Sequence, residues 1–291
     1  PLRLVVADED TFHTHEFEND QIKKFVRDAR QVRTVLTKAA ESIGATEKLI
    51  EVDHSQTRQK QKAYSEIINQ ARIQEMSHVI EDHGNDIQKA TFLSNNGSFA
   101  GAFLHQIPKD RTSTLSNLEF RTACKLRLGM TFPGIQKTCC CKDNHINEPF
   151  GTHLFSCNEF KHLAQSRHDA LQNDIMQLGQ HAMKRVQDSG LGNMIAQDGR
   201  KGDLLFYDMG KNNSNLVVDI TIANATSQHY LPNSSITEKF ALNFLEKGKY
   251  RKYSEHYRQE GIDFMPLALE SHGAVSDTFL KFFKNCLLSL P

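Results

Sequence analysis

The sequence has no excess of either charge, since 35 Lys and Arg stand against 35 Asp and Glu over 291 residues. That balance excludes attraction to nucleic acid by overall charge, so a DNA or RNA partner has to be met by local basic patches. Long apolar runs are missing too: nothing approaches the roughly 18 residues that cross a bilayer, and the N-terminus lacks the basic, apolar, small-residue order of a secretory signal. An intracellular protein without a membrane partner is expected. Internal repeats and low-complexity tracts are also lacking. Of the six cysteines, Cys139, Cys140 and Cys141 are consecutive, a spacing unlike that of a disulfide framework. Reduced thiols, some on metal, fit better. What is present, 38% hydrophobic and 24% charged residues, supports a folded core and a length sufficient for two modest domains. The chain opens on Pro1 rather than Met and is read as the tail of a longer product.

Residues 1–20 carry Asp8, Glu9, Asp10, Glu16, Glu18 and Asp20 against the single base Arg3, the composition of a solvated arm. His13 and His15 lie within it. From Asn19, apolar residues from Ile22 to Ile43 recur at helical spacing and Gly44 ends the run; Thr46 to about Asp82 repeats the pattern, so an antiparallel helical pair is expected. Further helices are expected over Ser116–Leu128, Glu159 to about Asp188, Ile236–Glu260 and Asp277–Leu290. Strands are expected over Asp203–Asp208, Leu216–Ile222 and Asp263–Leu269. The resulting division is a helical region at 1–90, a helical linker at 91–134, a metal knuckle at 135–170 and an α/β (α+β) domain at 171–291.

The segment 137–157 gathers Cys139, Cys140, Cys141, His145, His153 and Cys157. Zinc takes four such ligands in a tetrahedron. His153 and Cys157, four apart, share one face of a helical turn, and Cys139 with Cys141 on a tight knuckle supplies the other pair. Cys140 is able to replace either neighbour, and His145 or His162 to stand in for a ligand. Buried free cysteines are common, but three in a row beside a polar loop fill a core poorly. With all four positions taken by protein, the zinc is structural.

The second constellation is Asp203-Leu-Leu-Phe-Tyr207, a turn near Lys211, then Leu216-Val-Val-Asp219-Ile-Thr-Ile222. A hairpin centred on that turn sets Asp203 opposite Asp219. Alternation then leaves Leu204, Phe206, Val218 and Ile220 on one apolar face and both carboxylates on the other. Two adjacent carboxylates repel unless a cation sits between them, and Mg²⁺ or Mn²⁺ is the natural candidate. An Asp at a strand end is equally often a turn residue. Downstream, Lys239, Lys247, Lys249, Arg251, Lys252 and Arg258 share a helix with Tyr250, Tyr253 and Tyr257. A lysine there would orient water or offset phosphate charge, while the other bases hold a nucleic-acid backbone; a solvated helix with tyrosines packed inward explains the same pattern.

Taken in order, these parts resemble the C-terminal region of reverse transcriptase-like proteins from eukaryotic non-long-terminal-repeat retrotransposons that carry a restriction-like endonuclease of the PD-(D/E)xK fold. The matching stretches are Ala100–Leu104 with Ile107-Pro108, Leu115–Asn117 with Glu119-Phe120, and Arg127–Gly129. They continue with the Cys139, Cys141, His153, Cys157 knuckle, Arg167-His168, Gly202-Asp203, Asp219–Thr221, Lys249 with Lys252-Tyr253, and Phe264–Glu270. The resemblance covers about residues 97–286 and implies a metal-dependent DNA endonuclease with a zinc knuckle, active in the nucleus. By carry-over, Asp203 and Asp219 bind Mg²⁺ or Mn²⁺, Lys249 is the displaced catalytic lysine with Lys252 second, and Tyr253 supports it. Lys247, Arg251, Arg258, Arg167 and His168 hold nucleic acid, DNA first and RNA second. Thr221 occupies the usual lysine position, Gly202 replaces the common Pro, and Asp188 loosely matches an acid expected in the preceding helix. Glu270 is either structural or holds the lysine or metal through water. No Tyr-x-Asp-Asp motif is present, so a polymerase would lie in an upstream reverse transcriptase region. The alternatives are a non-catalytic nucleic-acid-binding remnant and, through residues 19–82, a helical interaction protein.

Overall fold

The structure, a computed structural model, describes residues 20–54, 60–108, 111, 114–135, 138–141, 148–188 and 202–288. The expected acidic arm with His13 and His15, the residue His145, residues 189–201 expected as a loop, and Ser289 and Leu290 of the expected C-terminal helix lie outside them. The chain divides into two compact units, 1–83 and 84–291, so the helix that follows Gly84 belongs to the second unit rather than to the helical region expected at 1–90.

The first unit holds α1 (Asp20–Ser42), α2 (Thr46–His54) and α3 (Lys60–His83). Gly44, with φ of +64°, ends α1, and the amide of Ala45 donates back to the carbonyl of Ala40 at 2.8 Å, the left-handed stop that glycine makes without strain. The expected pair is therefore a trio: the second apolar run is split between α2 and α3. Leu36 and Ala40 of α1, Leu49 of α2 and Tyr64 and Ile67 of α3 form one small core.

The second unit begins with α4 (Asp86–Asn95), α5 (Ala102–His105) and α6 (Asn117–Arg127). Capping boxes start α4 (Asn85 with Gln88) and α6 (Ser116 with Glu119), each satisfying amides a helix N-terminus otherwise leaves open. After 3₁₀ turns at Thr152–Phe155 and Asn158–Phe160 comes α7 (Lys161–His181). Then follow β1 (Val186–Asp188), β2 (Leu204–Phe206), β3 (Leu216–Ala223), α8 (Leu231–Ser234), α9 (Phe240–Gln259), β4 (Asp263–Glu270) and α10 (Asp277–Leu287). The helix expected to run to Asp188 stops earlier: Met183 takes φ of +57° and the chain re-enters as β1, where Asp188 pairs with Leu204.

The four strands form one sheet in the order β1-β2-β3-β4, antiparallel except for the parallel pair β3 and β4. Both faces are covered. Leu204, Phe206, Val218 and Ile220 pack with Ile175 of α7 and with Phe279 and Phe282 of α10, and the Phe206 and Phe282 rings meet edge to face at 5.2 Å. Leu205 and Val217 pack with Tyr253 and Tyr257 of α9. The carboxylate face of the sheet is thus the floor of a second layer and not an open surface. Gly179 lets α7 lie close, because a Cβ there would stand 2.5 Å from the Phe206 ring. Among the described residues no helix is long and apolar enough to cross a membrane.

The turn after β4 holds a pH-sensitive group. His272 has a buried Nδ1 without a hydrogen-bond partner, and burial, with the Arg127 charge, lowers its pKa from 6.5 to about 4. The folded state therefore binds fewer protons than the unfolded one between those values, so stability is complete above pH 6.5 and falls as pH drops toward 4. The loss expected from this group is about 3 kcal/mol, at 1.36 kcal/mol per unit. Urea unfolding at pH 7 and pH 4.5 checks it: the interval between the two midpoints should shrink in His272→Gln.

Candidate active site and metal centre

Four ligand atoms converge ahead of α7. The Cys139, Cys141, His153 and Cys157 donors all lie within 4.8 Å of one another, with Cys139 Sγ 3.6 Å from Cys157 Sγ and Cys141 Sγ 3.7 Å from His153 Nε2. Around a tetrahedral zinc with Zn–S near 2.3 Å and Zn–N near 2.05 Å, these edges would be about 3.8 and 3.6 Å. The donor set and its spacing fit a metal such as zinc. All three sulfurs are buried against Phe160, while Cys140 and His162 are exposed and outside the cluster, so among the described residues the cluster takes Cys139 and Cys141 rather than Cys140; His145 lies outside the described residues. Gly151, with φ of +72°, turns the chain into the 3₁₀ turn that carries His153, and the Glu148 carboxylate accepts the His153 amide at 2.9 Å. From Cys157 the chain passes through a second 3₁₀ turn directly into α7.

The carboxylates come from the hairpin. Leu204 pairs with Val218 and Phe206 with Leu216, the register predicted from the spacing, and the amide of Asp203 donates to the carbonyl of Val218 at 2.8 Å. Asp203 is clamped a second time, its Oδ2 accepting the Ile220 amide at 2.5 Å. Gly202 delivers it: a Cβ there would lie 2.2 Å from Val217 Cγ1 and 3.1 Å from the Val218 carbonyl, and the Gly202 amide donates to Tyr257 Oη at 2.9 Å. The common Pro of the resembled family would lack that donor.

Asp219 lies inside the sheet beside Pro266 of β4, 4% exposed. Burial raises its pKa, the Lys249 ammonium works against that, and the Asp203 charge adds to it. Lys249 Nζ reaches in from α9 to 2.7 Å from Asp219 Oδ2, forming an ion pair. On the other side, α7 sends His168 Nε2 to 3.3 Å from Asp203 Oδ2, and Gln172, one turn later, donates to the Asp203 carbonyl at 3.2 Å. The hydrogen bond to Asp203 raises the His168 pKa to about 9 against the opposing effect of burial.

The remaining predicted residues fall into two groups. Tyr253 is buried, with Lys249 Nζ 5.6 Å and Lys252 Nζ 4.8 Å from its ring centre; Lys252 is exposed. Lys247, Arg251 and Arg258 are exposed on the outer side of α9, and Arg258 pairs with Glu255 at 2.7 Å. Arg167 is exposed, its guanidinium 5.7 Å from the Phe155 ring centre, whereas His168, expected to face nucleic acid, engages Asp203 instead. Glu270 does not join the centre. It pairs with Ala223, four positions beyond Asp219 and so about 13 Å along the strand, and it is buried with the Ser94 hydroxyl donating to it. Sequence reasoning missed Gln172 and the contact of Tyr257 with Gly202; the four-residue spacing of His168 and Gln172 was a usable signal for the first.

No protein-family model matches the chain, and no curated protein matches it.

For the knuckle, metal analysis of the purified protein should find about one zinc per chain. Cys157→Ser and His153→Ala should lose it and melt earlier, while Cys140→Ser should keep both metal and melting temperature.

Proposed function

We propose that the second unit is a metal-dependent endonuclease that hydrolyses a phosphodiester of DNA, built on a PD-(D/E)xK-like core with a zinc knuckle and descended from a non-long-terminal-repeat retrotransposon protein. The observation that carries this reading is the meeting of Asp203, Asp219 and Lys249 at adjoining positions of β2, β3 and α9, from three separate parts of the sequence. Asp203 and Asp219 flank the Leu204–Val218 register pair, and two like charges this close, one of them buried, call for a cation between them. The pair fits a hard divalent cation through the chemistry of its oxygens, and Mg²⁺ or Mn²⁺ bound by Asp203 and Asp219 would supply Lewis-acid stabilisation of phosphate charge.

Each residue then has a task. The Ile220 amide and His168 fix the Asp203 carboxylate, and the sheet fixes Asp219. Lys249, once off Asp219, orients the attacking water or offsets the charge on the non-bridging oxygens. The water oxygen forms the new P–O bond, the P–O3′ bond breaks, and the departing 3′ oxygen takes a proton, leaving a 3′ hydroxyl able to prime synthesis. Lys247, Arg251, Arg258 and Arg167 supply backbone contacts. The reading brings with it a nuclear location, RNA as a second partner and a reverse transcriptase region upstream.

One observation favours a second reading, a non-catalytic nucleic-acid-binding remnant: both carboxylates already have cationic partners, Lys249 on Asp219 and His168 on Asp203. Supercoiled plasmid with Mg²⁺ or Mn²⁺ separates the two. The nuclease reading expects conversion to open circles, lost at least 10³-fold in Asp203→Asn and Asp219→Asn and about 10²- to 10³-fold in Lys249→Ala, with DNA affinity retained. Salt-sensitive DNA binding without nicking would favour the second, and nicking indifferent to Asp219→Asn would put cleavage elsewhere than on this pair.

A further inference from the structure

The helix that brings Lys249 to the carboxylates has an outer face with a different composition. Phe244, Lys247 and Arg251 lie along it at i, i+3 and i+7, and all three are exposed. A phenyl ring is among the side chains most strongly driven inward, yet Phe244 is 42% exposed. It does not stand alone. The exposed His229 ring lies 5.6 Å away, Tyr230 at 5.7 Å and Phe240 at 5.9 Å, with His229 and Tyr230 set edge to face against it. His229 and Tyr230 come from the loop that leaves β3, ten and eleven positions beyond Asp219. Tyr230 and Leu245 root the cluster in the small core of Ala223, Ala225 and Ala241, so the rings are held rigidly while part of their surface meets solvent. Lys247 and Arg251 form no ion pair among the described residues.

Four aromatic rings with two unpaired cations one and two turns along the same helix are poorly explained as core, since the cluster is not closed over. A protein-docking face would be apolar at its centre with charges at the rim; here the charges continue the line of the exposed ring. That alternation of π surface and cation matches single-stranded nucleic acid, whose bases stack on aromatic faces while its phosphates track a basic stripe. Phe244 precedes Lys249 by five residues, about 7.5 Å along the helix axis and roughly 140° around it, so the rings lie on the solvent side of α9 at the Ala223 end of β3, not on the face that meets Asp219.

We propose that Phe244 and His229, supported by Tyr230 and Phe240, form a stacking platform for an unpaired base, with Lys247 and Arg251 on the adjoining phosphates. The preferred substrate is then DNA with a single-stranded or strand-separated segment a few nucleotides from the scissile bond. This deepens the endonuclease reading and rests on it for the meaning of the neighbouring centre, although stacking itself requires no cleavage.

The test uses the full chain in the Asp203→Asn background, which holds the substrate uncut, with a fluorescein-labelled 20-nucleotide single strand and the same sequence as duplex, read by anisotropy. Phe244→Ala should weaken single-strand binding about 5- to 150-fold, the range that 1–3 kcal/mol of stacking per base implies, and leave duplex binding within about twofold. Phe244→Leu, which keeps apolar bulk for the fold but removes the π face, should behave as Phe244→Ala; Phe244→Tyr should stay near the parent. Lys247→Ala and Arg251→Ala should each reduce the single-strand salt slope by about 0.7. Thermal melts confirm folding of each variant. Unchanged single-strand affinity in Phe244→Leu, or an equal loss on duplex, would overturn the platform. Phe244-dependent single-strand binding without plasmid nicking by the parent protein would instead overturn only the nuclease reading, and nicking with Phe244-independent binding only the platform.

Discussion

Asp203 is tied to β3 from both ends: its amide donates to Val218 and its carboxylate accepts the Ile220 amide. That double tie fixes where β2 enters the sheet, and since the period of a strand is two, a slip of one residue would put Asp203 on the wrong face and Leu204 out of the core. Everything at the centre follows from this register. Asp219 is presented on the face covered by α9, so a lysine has to come from that helix, and Lys249 is the one whose ammonium arrives. The steric demand at Gly202 belongs to the same arrangement, because the chain can turn into β2 only by passing against Val217 and Val218 with its amide on Tyr257.

The knuckle and the centre share an element. Cys157 ends one short turn before α7, and α7 carries His168 and Gln172 to Asp203 seven residues and eleven residues past its start. A bound metal would stiffen the beginning of that helix and so would support the carboxylate centre mechanically, with no ligand position left open for chemistry. Most of a helix's stability in a protein comes from tertiary packing, and here it comes from the knuckle at one end and the Phe206 contact around Gly179 at the other.

Much of this was legible in the sequence. The hairpin register followed from the position of one turn and from alternation, and the four metal donors followed from residue type and spacing, since both signals are local. Helix ends marked by Ser116 and Gly44 were equally plain, because capping chemistry is local too. The less legible features were nonlocal. Which cysteine of three faces the cluster depends on the path of the knuckle, and the covering of the carboxylate face by α9 depends on where that helix lands. His168 reads as one of several basic residues until α7 is laid across the end of β2. The β1 strand was hidden inside an apparent helical run because pairing with Leu204–Phe206, not intrinsic propensity, makes Val186–Asp188 extended. Glu270 seemed close to the centre in sequence order alone; four residues of strand remove it.

What distinguishes a catalytic pair of carboxylates from a pair of structural ion bridges is whether a cation displaces the resident ammonium. Anomalous diffraction from crystals of the protein soaked in MnCl₂ reads this directly. A manganese peak within bonding distance of both Asp203 and Asp219, with Lys249 Nζ moved off Asp219 Oδ2, is the predicted result. Crystals in which manganese is absent from that position, and in which Lys249 and His168 still hold the two carboxylates, would contradict it.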